Sequence, residues 1–218
     1  MNKLFIIGLP RTGTTSISAA LLSYDFKVAH TAYTIRAFEL ADVISDAPCF
    51  SDYPQLDSIF PNSKFVYLDR AIEQWVPSMQ MLLKKMHPHL DPKTGYLNPV
   101  LKRSFQQTFN LSSISSDPLS DNDNPFTEQH LADCFQKHQK GVFDYFSGRD
   151  DFLSINLSHP ECLSTLHHFL NISEESLTSF PHLNIGKQVD SWKTLKHPNK
   201  VNPNSAGKEH RKFFSYGV

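Results

Sequence analysis

The sequence predicts an α/β protein in which a central parallel sheet is flanked by helices. Three observations point to it. Short apolar segments of strand length alternate with longer amphipathic ones along the chain. The first of them is apolar on both faces, as a central parallel strand must be, and it runs through a glycine-bearing turn straight into a helical pattern. The length of 218 residues, with 39% hydrophobic and 20% charged residues, suits one substantial core and is short for two. A single domain over residues 1–218 is therefore expected.

The elements follow in order. Lys3 to Ile7 reads as the first strand, ended by Gly8-Leu9-Pro10. Gly13 to Tyr24 reads as a helix, with Ile17, Ala20, Leu21 and Tyr24 on one face. Phe26 to His30 is a second strand. Lys64 to Leu68 is another, introduced by the turn residues Pro61-Asn62-Ser63 and followed by a helix to about Met86. Pro77 in that helix requires either a start close before it or a kink. The segment 87–124 changes character, with Pro88, Pro92, Gly95 and Pro99 and then a Ser/Asp/Asn-rich stretch. It reads as an insertion or mobile lid, irregular over 111–124. From Thr127 a long amphipathic helix carries Leu131, Phe135, His138, Val142 and Tyr145 on one stripe. Phe152 to Leu157 is a further strand, and Cys162 to Leu170 a further helix. In such folds ligands bind beyond the carboxyl ends of the strands.

Composition excludes several classes. A net charge of −1 argues against a nucleic-acid binder. No apolar run is long enough to span a bilayer. The run at Leu4–Ile7 is also a poor signal peptide, so a cytoplasmic address is the default expectation. Cys49, Cys134 and Cys162 are scattered, which suits reduced thiols. Among the eleven histidines, neither His87/His89 nor His167/His168 has ligand-spaced partners, so no metal is expected. Charge is unevenly placed: the segment 184–218 carries +5 and the rest −6, and such a basic tail can close over a small polyanion.

The segment that carries chemistry is Gly8 to Ser16, between the first strand and the first helix. There, backbone N–H groups of Thr12 to Thr15 can turn inward, and the helix dipole adds positive charge where an anion would sit. Glycines at 8 and 13 permit the curl. The spacing matches the nucleotide-triphosphatase loop G-x-x-x-x-G-K-[ST], but Thr14 stands in place of the lysine. That lysine neutralises β- and γ-phosphates, and its loss argues against ATP or GTP hydrolysis. Arg11 supplies a cation elsewhere in the loop.

Pro10-Arg11-Thr12-Gly13-Thr14-Thr15 resembles the 5′-phosphosulfate loop of sulfotransferases that use 3′-phosphoadenosine 5′-phosphosulfate (PAPS). In those enzymes Pro-(Lys/Arg)-(Ser/Thr)-Gly-Thr-Thr replaces the triphosphatase sequence. The resemblance implies a three-layer P-loop NTPase-like fold, with Pro10 to Ser16 binding the cofactor PAPS or its product, adenosine 3′,5′-bisphosphate. It continues downstream. In that family a strand-end arginine and a serine eight residues later hold the 3′-phosphate; here Arg70 ends the strand and Ser78 is eight residues on. The helix ending Val142 to Phe146, the strand at Phe152 to Leu157 and the segment Phe180 to Asn184 are similar in outline. Two departures stand out. The tail has Gly186-Lys187 and Trp192-Lys193 rather than the family's glycine-rich basic stretch. Asp46-Ala47-Pro48 occupies the place of the usual His-x-Pro.

Sulfuryl transfer requires neutralising the charge that gathers on the bridging oxygen and removing the acceptor's proton. Arg11 and the loop amides suit the first task. Asp46 is the first candidate base and His30 the alternate, both read as standing at strand ends on the binding edge. The acceptor is expected to be a small or carbohydrate-like molecule. Two other readings remain. One is a P-loop kinase, with Asp69 in the place of a Walker-B aspartate. The other is a non-catalytic nucleotide-binding module.

Overall fold

The computed structural model describes residues 2–91, 93–111, 126–172, 191–206 and 213–214. It divides into two units, Met1–Arg70 with Arg149–Val218, and Ala71–Gly148.

The first unit is built on five parallel strands: β1 (Leu4–Ile6), β2 (Val28–His30), β3 (Val43–Ser45), β4 (Lys64–Asp69) and β5 (Phe152–Asn156). Their order across the sheet is β2-β3-β1-β4-β5. The chain leaves β1 for the far edge, returns through β3, and crosses β1 to reach β4. The carboxyl end of β1 is therefore the point where the winding reverses, which is where an open sheet of this kind parts its loops to make a crevice.

Alternation along each strand explains why helices cover both faces. Leu4 and Ile6 of β1 join Val28, Val43, Val66 and Leu68 in a core shared with helices α1 (Thr14–Leu22) and α7 (Cys162–Leu170). Phe5, between them, points the other way. Its ring lies 5.6 Å from that of Phe60, which ends α3 (Cys49–Ile59), and Phe60 stacks on Phe38 of α2 (Ile35–Leu40) at 5.8 Å. The α/β class with a central parallel sheet between helices is thus observed. Every residue of α1 is buried, which its small Thr, Ser and Ala side chains allow at close range to the sheet.

Two features fix this frame. Arg149 grips Asp57 of α3 with two hydrogen bonds (2.6 and 2.9 Å) and Asp151, just before β5, with two more (2.9 and 2.7 Å). The edge strand β2 is covered by the chain near its end. Val28 N–H donates to Asn199 O at 2.9 Å, and Val201 N–H returns to Val28 O at 2.8 Å. An edge is thereby removed, and the stretch 199–203 is held along the sheet.

The second unit holds α4 (Ile72–Leu90), α5 (Pro99–Phe109) and α6 (Glu128–Tyr145) around Trp75, Phe105, Phe109 and Phe135. Pro77 is accommodated in the second turn of α4 at an exposed position, close to the helix start as its missing N–H requires. Within the segment 87–124, His87 to Leu90 complete α4, and α5 is an ordinary capped helix. Asn98 accepts from Val100 N–H at 2.9 Å, and Pro99 opens the first turn. The irregular stretch expected over 111–124 lies, beyond Leu111, outside the described residues. The short α8 (Ser191–Thr194) belongs to the first unit. No helix among the described residues is long and apolar enough to cross a membrane.

Candidate active site

The loop from Gly8 to Gly13 sits at the carboxyl end of β1. Gly8 is required there by contact: an added Cβ would lie 2.7 Å from Leu68 Cβ and 2.9 Å from the Leu68 backbone nitrogen. The loop closes on itself through Thr12, whose N–H and hydroxyl both donate to Leu9 O, at 3.2 and 2.7 Å. Arg11 and Gly13 hold left-handed φ values of 71° and 111°, the kind of backbone that anion-binding concavities are built from. Gly13 caps α1 without a side chain, so the positive end of that buried helix faces the same place.

The carboxyl ends of the neighbouring strands bring the remaining groups to this loop. Asp46 follows β3. Its Oδ2 accepts from the Thr14 hydroxyl at 3.3 Å, and its Oδ1 from the Ala47 N–H at 2.8 Å. His30 ends β2, and its Nε2 lies 2.9 Å from the Thr15 hydroxyl. Arg70 follows β4 on the opposite side of β1 and donates through Nη1 to the carbonyl of Arg11 at 2.5 Å. Below the loop, the hydroxyls of Ser18 and Ser45 pair at 2.8 Å and fix α1 against β3. Thus Arg11, Asp46, His30 and Arg70, together with Pro10 to Ser16, converge on one loop in the first unit. Ser78 is buried on α4, in the second unit. The segment Phe180 to Asn184 and the pair Gly186-Lys187 lie outside the described residues.

Thr14 and Thr15, at the start of α1, do something that sequence reasoning missed. Their backbone N–H groups are expected to face an anion, and their hydroxyls reach the two candidate bases. The signal was available in the adjacency of Thr14 and Thr15 at a helix start, where neighbouring side chains diverge by about 100°. A second missed feature is the support behind His30. The ring of Trp192 lies 5.2 Å from the His30 ring, and Lys200 sits over Trp192 at 4.8 Å. Lys200 also donates to the carbonyls of Trp192 and Leu195, which pins this turn.

Electrostatics follow from these neighbours. Burial pushes the His30 imidazole below its usual value, against the raising effect of Asp46 and with Lys200 adding to the fall. His30 is accordingly neutral near pH 7 and able to accept a proton. Burial lowers Arg11, the Arg70 charge lowers it further, and Asp46 opposes both. Burial also lowers Arg70. Both guanidiniums remain charged at any working pH. The result is two cations and a dipole end around one loop, with a carboxylate and a neutral imidazole to one side.

A family model described as a sulfotransferase domain matches residues 31–189 of the chain. Comparison with curated proteins returns no match. The matched stretch begins after the loop at residues 8–16, so the loop's form and the family match are separate observations.

Proposed function

The chain belongs to the sulfotransferase-domain family, and we propose that it moves a sulfuryl group from PAPS to a hydroxyl or amine of a small or carbohydrate-like acceptor. The observation that carries this reading is the convergence just described. A phosphate-type loop lacking the triphosphatase lysine is flanked by Arg11 and Arg70, and opens on the other side toward Asp46 and His30.

The residues present fit the donor. The left-handed turn at Gly13 lets backbone amides approach an anion closely. Arg11 neutralises charge gathering on the phosphate side as the sulfur–oxygen bond breaks. PAPS supplies an activated sulfuryl group. The acceptor's oxygen or nitrogen bonds to that sulfur, and the old bridging oxygen keeps the electron pair as part of the departing phosphate. The acceptor's proton passes to Asp46 or His30, each already held by a loop threonine. Thr14 and Thr15 therefore orient the base, which keeps it within reach of a group placed over the loop.

Arg70 is assigned to the 3′-phosphate. One of its N–H groups holds the Arg11 carbonyl, and a guanidinium carries five, so the fork can grip phosphate as well. Ser78 joins it on sequence spacing. A cytoplasmic address belongs to the same proposal, supported by the free thiols of Cys49, Cys134 and Cys162.

The test is a double difference. Arg70→Ala is expected to weaken binding of adenosine 3′,5′-bisphosphate by about 10- to 100-fold, the worth of one or two charge-assisted hydrogen bonds. AMP, which has no 3′-phosphate, should bind nearly as before. If both ligands lose affinity equally, the bond to the Arg11 carbonyl is the residue's whole role and the 3′-phosphate assignment fails.

A further inference from the structure

His30 is held from three directions. Its Nε2 lies 2.9 Å from the Thr15 hydroxyl at the start of α1, and the ring of Trp192 lies 5.2 Å from its own, inclined by 36°. The third hold is the backbone. Thr31 follows with a φ of 76°, the one β-branched residue among the described non-glycine positions in the left-handed region. That conformation is costly for a branched side chain and persists only where the surroundings impose it. Here Thr31 N–H donates to Ser45 O at 2.9 Å, which fixes the chain as it leaves β2.

Trp192 is in turn anchored to the strand that carries His30. The Lys200 ammonium lies 4.8 Å from the centre of the indole. It donates to the carbonyl of Trp192 and, at 2.9 Å, to that of Leu195. The backbone on either side of Lys200 is bonded to Val28, two residues before His30: Val28 N–H donates to Asn199 O, and Val201 N–H to Val28 O. The contacts therefore close a ring, from His30 through Trp192 and Lys200 to Val28 and back along β2. The outer torsion of a histidine side chain has only a broad preference of its own, so the direction of the imidazole is set by such neighbours.

We propose that Trp192 is a positioning residue for proton transfer: braced by Lys200 on the β2 edge, it keeps the His30 imidazole with Nε2 at the Thr15 hydroxyl, beside the loop at residues 8–16. This rests on the sulfotransferase reading and adds to it a residue that acts through His30. Without the indole, the imidazole turns about its Cβ–Cγ bond and Nε2 leaves the hydroxyl. The group that takes the proton is then present but displaced, and a displacement of about 1 Å can cost 10²-fold in rate. Lys200 contributes in charge as well as in position. Its ammonium opposes a second cation beside the same indole, which favours the neutral ring, while Asp46 opposes it in turn. Tyr33, Lys193, Lys196 and His197 line the same cavity as His30.

The chain has two tryptophans, Trp75 and Trp192, so the fluorescence of the full chain less that of its Trp192→Phe variant is the emission of Trp192. An imidazolium in contact with an indole quenches it, and a neutral imidazole does so far less. Trp192 emission is expected to fall as pH drops through a midpoint below the ordinary histidine value of ~6.5, and to lose this response in His30→Gln. In Lys200→Met the midpoint should rise, because a cation that opposes protonation of His30 is gone. Release of adenosine 3′,5′-bisphosphate from PAPS, with water as the acceptor and sulfate as the product, should fall at least about 10-fold in Trp192→Ala. Bisphosphate affinity should stay the same, and Trp192→Phe, which keeps a ring face, should retain most of the rate. In the His30→Gln background Trp192→Ala should cost nothing further, since its effect runs through the imidazole. Trp192 emission that responds to pH in the same way in His30→Gln overturns the proposal. So does native-rate release from Trp192→Ala, or a loss that recurs in full without His30. A fall in bisphosphate affinity in Trp192→Ala assigns the indole to the donor and also overturns it. Should Trp192→Ala not fold, the emission titration and its shift in Lys200→Met decide. A native chain that neither binds the bisphosphate nor releases it from PAPS is a separate result: it removes the sulfotransferase reading, and the emission titration then decides whether Trp192 holds His30.

Discussion

Arg11→Ala is expected to lower transfer by about 10²–10³-fold, the usual cost of removing one donor aimed at developing charge, while leaving the melting temperature unchanged. The two halves of this expectation have separate grounds. The side chain is the only cation within the loop itself, at Gly8 to Ser16, and it shares the loop's electrostatic field with Arg70 and Asp46. Its removal leaves the bridging oxygen to the backbone amides and the helix end. The closure of the loop, by contrast, does not run through the guanidinium. The loop is closed by Thr12 on the Leu9 carbonyl, and the Arg70 contact goes to the Arg11 carbonyl, a backbone atom that alanine retains. The φ of 71° at position 11 suits neither residue better than the other, so backbone strain is unaltered. Arg11→Lys should retain part of the activity, since it supplies charge without the planar fork. Release of adenosine 3′,5′-bisphosphate from PAPS reports the rate. Near-normal release from a folded Arg11→Ala protein contradicts the assignment.

Asp46→Asn is expected to lower turnover by about 10²–10⁴-fold, the range for loss of a general base, with little change in bisphosphate affinity. The substitution is nearly isosteric, and asparagine accepts the φ of 58° at this position as well as aspartate does. An amide oxygen can still take the Ala47 N–H. What disappears is the carboxylate's capacity to receive a proton. The parallel variant His30→Gln separates the two candidates: if it is dead and Asp46→Asn is active, the base is His30. The pH profile gives a second readout. Because burial already holds the His30 value down and the Asp46 charge partly restores it, removing that charge lowers it further. If His30 is the base, the acid limb of the rate profile therefore lies below the ordinary histidine value of ~6.5 and moves to still lower pH in Asp46→Asn. A limb that stays in place rules out that coupling.

The parts of the fold visible in the sequence were those with a strong local pattern. β1 with its loop and α1, β4, α6, β5 and α7 all stand where apolar runs and helical stripes place them, within a residue or a few at each end. The α2, α3, α5 and α8 helices have no counterpart in the sequence reading, for different physical reasons. α2 has six residues and α8 four, too short to show a period. α3 contains Pro54 and a non-helical Asp52, which break its pattern. α5 was masked by the prolines and glycine around it, although Asn98-Pro99 is a helix-start signal when taken by itself. At the site, Arg11 and His30 were legible as candidates from the glycine-bearing turn and the end of an expected strand, and Arg70 and Asp46 from the family resemblance, since β3, which Asp46 follows, had no counterpart in the sequence reading. Their mutual arrangement was not, because it depends on strand order. Only with β3 between β2 and β1, and β4 on the other side, do the two candidate bases and Arg70 fall on opposite sides of the loop. The packing of Trp192 on His30 joins positions far apart in sequence and carries no local signal.

The most direct measurement is calorimetry of the native chain with adenosine 3′,5′-bisphosphate, AMP and ATP, the last with and without magnesium. A PAPS-dependent sulfotransferase must hold the 3′-phosphate, so the bisphosphate should bind about 10- to 100-fold more tightly than AMP, with no requirement for magnesium. Magnesium-dependent binding of ATP in preference to the bisphosphate would contradict the account and make Asp69 and the loop part of a phosphoryl-transfer site instead.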